Sequence, residues 1–366
     1  MTIIRLSILL LIFSFNLSFS FQSYTLSGVV IDKSTGDPIE FCAIGLVGST
    51  TGTITDKEGK FSLSGLPDHK FTLVFSHIAY ENKVLKLSPK NTDQTLTIRL
   101  NPKVVDLDEV SISAKGRGKL ARQRRRELGN FMKMVLGTEY NERLIQLVNE
   151  EVIDIRDLTS QSWKFSKNYD LVFVNEYLGY EIKYYDFSFI MNKTTKTFIG
   201  YPVFKELTPK EPEDLVKWKK NREEAFKGSL KHLLFSLISD RLIEEGFLVN
   251  ITNFDPTSNI DSKDYERVSN ALRTGPSAVN PNLKLTKVEN DNYEMWVDGT
   301  IELFFTNPVD DTTEVSYILL KNETTKVSQN GNLHNPLSLM VYGHLANLGV
   351  YKMLPVNYLP DYLKSN

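Results

Sequence analysis

Residues 24–100 read YTLSGVVIDKSTGDPIEFCAIGLVGSTTGTITDKEGKFSLSGLPDHKFTLVFSHIAYENKVLKLSPKNTDQTLTIRL. Short β-favouring runs alternate here with turn residues. Residues 25–31 form one run, and the polar, Gly- and Pro-punctuated loop 32–38 follows. Residues 39–47 form the next, closed by the Ser/Thr-rich turn 48–52. Residues 53–55 and 60–63 flank Asp56-Lys-Glu-Gly59, which reads as a hairpin turn with Gly59 supplying the permissive backbone. Runs at 71–77, 80–87 and 95–100 complete about seven short strands, the spacing of a two-sheet β-sandwich over 22–101. Alternation places Leu96, Ile98 and Leu100 on one face. Cys42 lies inside an apolar run and reads as a buried structural thiol.

Four pieces carry a resemblance: Gly28-Val-Val-Ile-Asp, Gly36-Asp-Pro38-Ile, the run from Gly52 through Phe61-Ser-Leu, and Phe75-Ser-His-Ile-Ala-Tyr80. Together they resemble the carboxypeptidase-like regulatory domain, a transthyretin-like, Ig-like β-sandwich also found ahead of TonB-dependent outer-membrane receptors. Residues 107–114 resemble the junction between that domain and a receptor plug. The resemblance implies an envelope location, and its carboxypeptidase name is not an activity. Zinc carboxypeptidases pair a His with a Glu three residues on. Here His69, His77, His232, His334 and His344 are followed at that position by Thr, Tyr, Phe, Leu and Asn.

Residues 1–20 hold Arg5, an apolar run at 6–15 and the small residues Ser18 and Ser20, the pattern of a signal peptide. Export to the periplasm or outer membrane of a Gram-negative bacterium is therefore expected. The net charge of −2 becomes −3 once the single charge of Arg5 is removed, a balance that argues against nucleic acid as a partner. One cysteine cannot form an internal disulfide. No later apolar run approaches the ~20 residues of a membrane-spanning helix, so none is expected after signal cleavage. A 22-stranded receptor barrel does not fit in the residues after 115, and the charged helical stretch 212–245 speaks against a smaller one.

Residues 102–118 read as a linker and 119–366 as an α+β domain of unknown function. A basic run spans their boundary: Lys115, Arg117, Lys119, Arg122, Arg124, Arg125 and Arg126. It reads either as an anionic contact, to lipid phosphate or an acidic partner, or as a solvated helix face. A helix is expected over 120–136, and strands over 171–174, 180–189 and 196–204. One long helix should run from Pro212 towards a stop at Gly246. Later strands are expected over 293–306 and 314–320, then a short helix and a Pro-rich tail within 344–359. The segment 171–184, Trp218-x-x-x-Arg222, Ala225-Phe-x-Gly-Ser229 and Leu354-Pro-x-x-Tyr358 resemble a family of envelope proteins carrying the same regulatory domain. That likeness implies location and architecture only.

Candidate chemistry is sparse. Trp218, Arg222, Gly228 and Ser229 offer a binding surface, or simply a guanidinium stacked on an indole four residues away. Tyr177, Tyr180, Tyr184 and Tyr185 offer a sugar-stacking platform, or core packing, with Tyr184 and Tyr185 on opposite strand faces. Asp310-Asp311 reads as a turn, and Glu150-Glu151 are too close in sequence to converge as an acid–base pair. No serine-hydrolase, nucleotide-binding or zinc-protease motif is present, and no cofactor or metal is expected. The expected function is a non-catalytic binding or accessory module for an outer-membrane or cell-surface assembly, with an outer-membrane protein or a glycan as partner. The alternative is an envelope glycan or peptide hydrolase with a site dispersed over the second domain.

Overall fold

The computed structural model describes residues 24–89, 95–103, 117–154, 169–191, 196–256, 282–289, 292–308 and 310–364. The expected signal peptide, the junction 107–114 and Lys115 lie outside the described residues. The first body is the sandwich. One sheet has β1 (Tyr24–Asp32) between β4 (Lys60–Leu66), antiparallel, and β7 (Leu96–Leu100), parallel. The other has the order β3-β2-β5-β6, from β2 (Ala43–Leu46), β3 (Gly52–Ile54), β5 (Phe71–His77) and β6 (Tyr80–Leu87). Alternate residues of both sheets fill the core between them, Leu26, Val30, Leu73, Phe75, Ile98 and Leu100 among them. Gly28 is required by close approach, because a Cβ there would sit 2.5 Å from the Leu96 carbonyl oxygen and 2.6 Å from the Phe61 ring. Cys42 is fully buried, and burial pushes its thiol up to about 12, so it is inert packing. Asp56 forms the expected turn, its Oδ1 accepting from the Glu58 and Lys60 amides. The run expected over 39–47 pairs only from Ala43, because Phe41 takes a left-handed turn at φ 59°.

The second body is an antiparallel sheet in the order β11-β10-β9-β8, from β8 (Ile145–Leu147), β9 (Tyr169–Asn175), β10 (Tyr180–Met191) and β11 (Lys196–Glu206). Helix α1 (Arg117–Leu136) shares its core through Phe131, Val135 and Leu136. Phe131 meets Phe187 and Phe189 edge-on at 6.1 and 6.3 Å.

The long helix expected from Pro212 is two helices, α2 (Pro212–Phe226) and α3 (Leu230–Ile238). Gly228 at φ 71° breaks the path against the Phe305 ring, and Ser229 then caps α3, its Oγ accepting from the His232 amide. Likewise, the strand expected over 293–306 is two, β14 (Asn292–Val297) and β15 (Thr300–Thr306), which part at Gly299 and enter different sheets. One sheet is β12-β15-β16-β18 and the other β13-β14-β17, with β12 (Phe247–Thr252), β13 (Leu283–Lys287), β16 (Thr313–Leu320), β17 (Thr324–Ser328) and β18 (Leu339–Gly343). Both close on α3 in a core of their own, so the region after α1 holds two hydrophobic cores. The helix expected near the end is two 3-10 turns, His344–Asn347 and Val350–Lys352, before a final short helix α4 (Asp361–Lys364). Asp310 and Asp311 do form a turn, with Asp310 Oδ1 accepting from the Thr312 amide.

The bodies are joined by their main chains. The Gly48 amide donates to Pro202 O at 2.6 Å and the Phe204 amide to Ser49 O at 3.0 Å, so a sandwich turn covers the edge strand β11. Gly45 leaves room for Val203, and Asn82 donates to Asp170 at 2.6 Å. The His69 and His334 rings stack at 4.0 Å with 9° between planes, linking sandwich to C-terminal body. The tail crosses all three bodies: the Val356 amide donates to Gly48 O, and Lys231 Nζ donates to Val356 O at 2.6 Å and Tyr358 O at 2.5 Å.

Candidate functional site at the junction of the bodies

Helix α2 builds the site. Pro212 sits in its first turn and Glu211 and Asp214 form a reciprocal capping box. Its inward face then takes up successive carbonyls of the turn between β9 and β10. Trp218 Nε1 donates to Glu176 O at 2.9 Å and Asn221 Nδ2 to Tyr177 O at 2.7 Å. Arg222 Nε donates to Leu178 O at 2.7 Å and Nη2 to Gly179 O at 3.4 Å. The indole packs against Gly179, where a Cβ would come within 2.3 Å of it. Three side chains of α2 thereby give partners to the turn carbonyls of Glu176, Tyr177 and Leu178, while Gly179 O also accepts from the Leu207 amide at 3.0 Å.

The expected stacking of Arg222 on Trp218 is corrected by this geometry. The guanidinium lies 4.0 Å over the Tyr180 ring and pairs with Glu206 at 3.1 Å. Trp218 faces the turn backbone instead. Asn221 was missed by sequence reasoning. Its trace was a poor helix former between two functional-looking residues.

Beyond Arg222 opens a cleft of about 330 Å³. Tyr180, Glu206 and Arg222 form its floor, and Lys219 and Glu223 of α2 one wall. The tail forms the other wall through Asn357, Tyr358 and Asp361, and Thr50 of the sandwich closes one end. Asn357 and Thr50 exchange two hydrogen bonds, at 2.7 and 3.3 Å. Lys219 and Lys364 both pair with Asp361, at 2.7 and 2.9 Å, and hold its carboxyl down at about 2. The Tyr180 hydroxyl is pushed up to about 12 by burial, and burial with the nearby Glu223 charge raises Tyr358 as well. Both phenols stay neutral donors.

Of the tyrosines expected as a platform, only Tyr180 reaches this cleft. Tyr184 packs in the core of the second body, edge-on to Phe187 at 5.1 Å, and burial pushes its hydroxyl up to about 12. Tyr177 stacks on Tyr351 at 4.6 Å, and Tyr185 is buried beneath Lys183. The basic run is likewise divided. Arg124 donates to Ile153 O and Glu150 O, and Arg126 pairs with Glu127 at 2.6 Å. Arg122 and Arg125 remain exposed on α1. His232 is a core histidine among Phe226, Phe247 and Phe305, its Nδ1 accepting from the Gly228 amide and its Nε2 donating to Glu245. Burial lowers its proton affinity and keeps it neutral. Among the described residues no group of three or more His, Cys, Asp and Glu gathers as a metal site, and no helix is long and apolar enough to cross a membrane.

No curated protein matches the chain. Among solved structures, it is similar over 60% of its length to a 9R-lipoxygenase from Cyanothece PCC8801, at 10% identity and a TM-score of 0.16. The match takes in about half (49%) of that enzyme, and likeness at this level carries no argument. The family comparison is specific. Residues 26–112 match the CarboxypepD_reg-like domain, the stretch that folds into the Gly28-centred sandwich and continues past it. The N-terminal body of this chain is therefore a CarboxypepD_reg-like domain, a β-sandwich joined to a region of mixed helices and sheets.

Proposed function

We propose that this chain is an exported, non-catalytic binding or accessory module of a Gram-negative envelope, in the periplasm or at the outer membrane. Its partner would be an outer-membrane or cell-surface assembly, engaged at the junction cleft. The observation that carries the reading is the cleft itself. Its walls come from the sandwich, the β10–β11 sheet, α2 and the tail, and ion pairs and carbonyl bonds hold them in place before any ligand arrives. Such preorganisation lowers the ordering cost of recognition. A regulatory-type sandwich suits a binding role, and Thr50 places it in direct contact with the site.

The test is cross-linking in intact cells, followed by affinity purification of the tagged full chain and mass spectrometry. Repeated capture of one outer-membrane component, lost when Lys219 and Lys364 are both changed to Glu, is the expected result. Capture of nothing specific, or capture indifferent to the double change, argues against the reading. A hydrolase acting on envelope glycan or peptide is the second reading, favoured by three carboxylates on one cleft, Glu206, Glu223 and Asp361. Asp361 is tied to two lysines and stays ionised, which suits an anchor better than a proton donor. Turnover of an envelope polymer by the wild-type chain, abolished in Glu223→Gln, would establish the hydrolase.

A further inference from the structure

We propose that the junction cleft binds an uncharged polyhydroxylated ligand, a glycan segment of one or two rings; this rests on reading the cleft as the binding site. Its volume lies at the lower end of the ~300–1,000 Å³ typical of small-molecule sites. The chemistry of the walls narrows what can fill it.

Charge comes first. Three acidic side chains (Glu206, Glu223, Asp361) face three basic ones (Lys219, Arg222, Lys364), so the wall has no net formal charge. All three basic groups already have carboxylate partners: Arg222 has Glu206, and both lysines have Asp361. An anionic ligand would compete with these carboxylates for the same cations, and the desolvation of both sides would offset much of the gain. A neutral ligand leaves the pairs intact.

The backbone comes second. A peptide bound in extended form needs free main-chain groups along an edge. Here several of those groups are spent. Leu178 O and Gly179 O accept from Arg222, and Tyr358 O from Lys231. Val356 O accepts from Lys231 and Asn332, and the Val356 amide donates to Gly48. The Thr50 amide donates to Asn357. Engagement of these groups shifts recognition towards side chains.

Those side chains match hydroxyls. The Tyr180 and Tyr358 hydroxyls make no hydrogen bond among the described residues, and the Glu223 carboxylate has no ion pair or hydrogen bond among them. Two groups that both donate and accept, beside one strong acceptor, are the complement of a row of sugar hydroxyls. The Tyr180 ring is already covered by Arg222, so this residue contributes its hydroxyl rather than a stacking face.

The experiment uses the full chain against a glycan array of neutral and uronate-containing oligosaccharides, with tetrapeptides of either charge measured alongside by ligand-observed NMR. Neutral oligosaccharides should bind, and Glu223→Gln and Tyr358→Phe should each weaken them about tenfold. Both changes are near-isosteric at groups with no internal partner, so unchanged melting temperatures should accompany the loss. Binding of no glycan, of charged probes only, or of neutral glycans equally well by both variants would overturn the proposal. Partner capture that depends on Lys219 and Lys364 without glycan binding would leave the binding-module reading standing and remove the ligand class. Absence of both would remove both.

Discussion

The side chains of α2 that organise the cleft act on backbone carbonyls of the β9–β10 turn. Arg222 shows it, with bonds to Leu178 and Gly179, a face on Tyr180 and a fork towards Glu206. Arg222→Lys keeps the charge but cannot span these partners. It should cost about 1–2 kcal/mol in urea denaturation, where a mere surface charge would cost nothing measurable. Trp218 and Arg222 were legible in the sequence as a pair, yet what each touches was not. Helical spacing places them on one face, and only the fold says that the face meets a carbonyl-rich turn. The His69–His334 stack was not legible at all, since 265 residues separate the two. Burial and the nearby His69 push His334 down to about 4, Lys326 adds to this, and Asp68 opposes it. Asn292 Oδ1 sits against its Nε2 at 2.9 Å. An imidazole harder to protonate folded than unfolded stabilises the fold fully above the ordinary value of 6.5, and that stability fades as pH falls towards 4. The melting temperature should therefore drop between pH 6.5 and 4. The drop should shrink in His334→Phe, which retains a ring to stack on His69; an identical pH profile in the variant would count against the stack as its source.

At the scale of elements, the sandwich was readable almost strand for strand, because β1, β4 and β7 alternate between buried and exposed residues and most of its strands end near a Gly, Pro or Asp. Later breaks were not. The 3.6-residue stripe from Leu215 continues through Phe226 and Leu230 to Ile238, so periodicity alone joins α2 to α3. What splits them is Gly228, whose left-handed backbone and packed neighbour follow from where β15 lies. Asp298-Gly299 hid in the same way inside a run of apolar and aromatic residues, although an Asp-Gly pair is a strong turn signature. Gly228→Ala tests the break directly. The new Cβ would meet the Phe305 ring at 2.6 Å and would force a non-glycine residue to φ 71°. Together these should cost about 2–4 kcal/mol, read as a lower urea midpoint with an unchanged slope. A loss below about 0.5 kcal/mol would mean that the junction bends freely and that α2 and α3 are not held in register.

Across the whole molecule, what holds the cleft together lies in contacts that no local pattern encodes. Gly48 meets Pro202, Thr50 meets Asn357 and Lys231 meets Val356 and Tyr358. The tail reads in sequence as Pro-rich, with Leu354-Pro-x-x-Tyr358 as its one motif, and nothing local in it says that it forms a wall of the cleft. Lys231 is its main tether. The ammonium is largely buried, and burial pushes it down to about 7, yet it reaches two carbonyls on either side of Asn357. Lys231→Met keeps the stem that packs along α3 and removes both bonds. Two lost hydrogen bonds to partly exposed carbonyls should cost about 1–3 kcal/mol. The cost should be local. Amide exchange should quicken over residues 355–361 and in the Ser49–Thr50 turn, while the sandwich strands and α1 keep their protection. Because Tyr358 and Asp361 stand on the freed segment, any ligand of the cleft should bind more weakly to this variant than to wild type. Uniformly faster exchange throughout the chain would instead show that Lys231 supports global stability, and the tail would then be a passenger rather than a wall held in place by its own anchor.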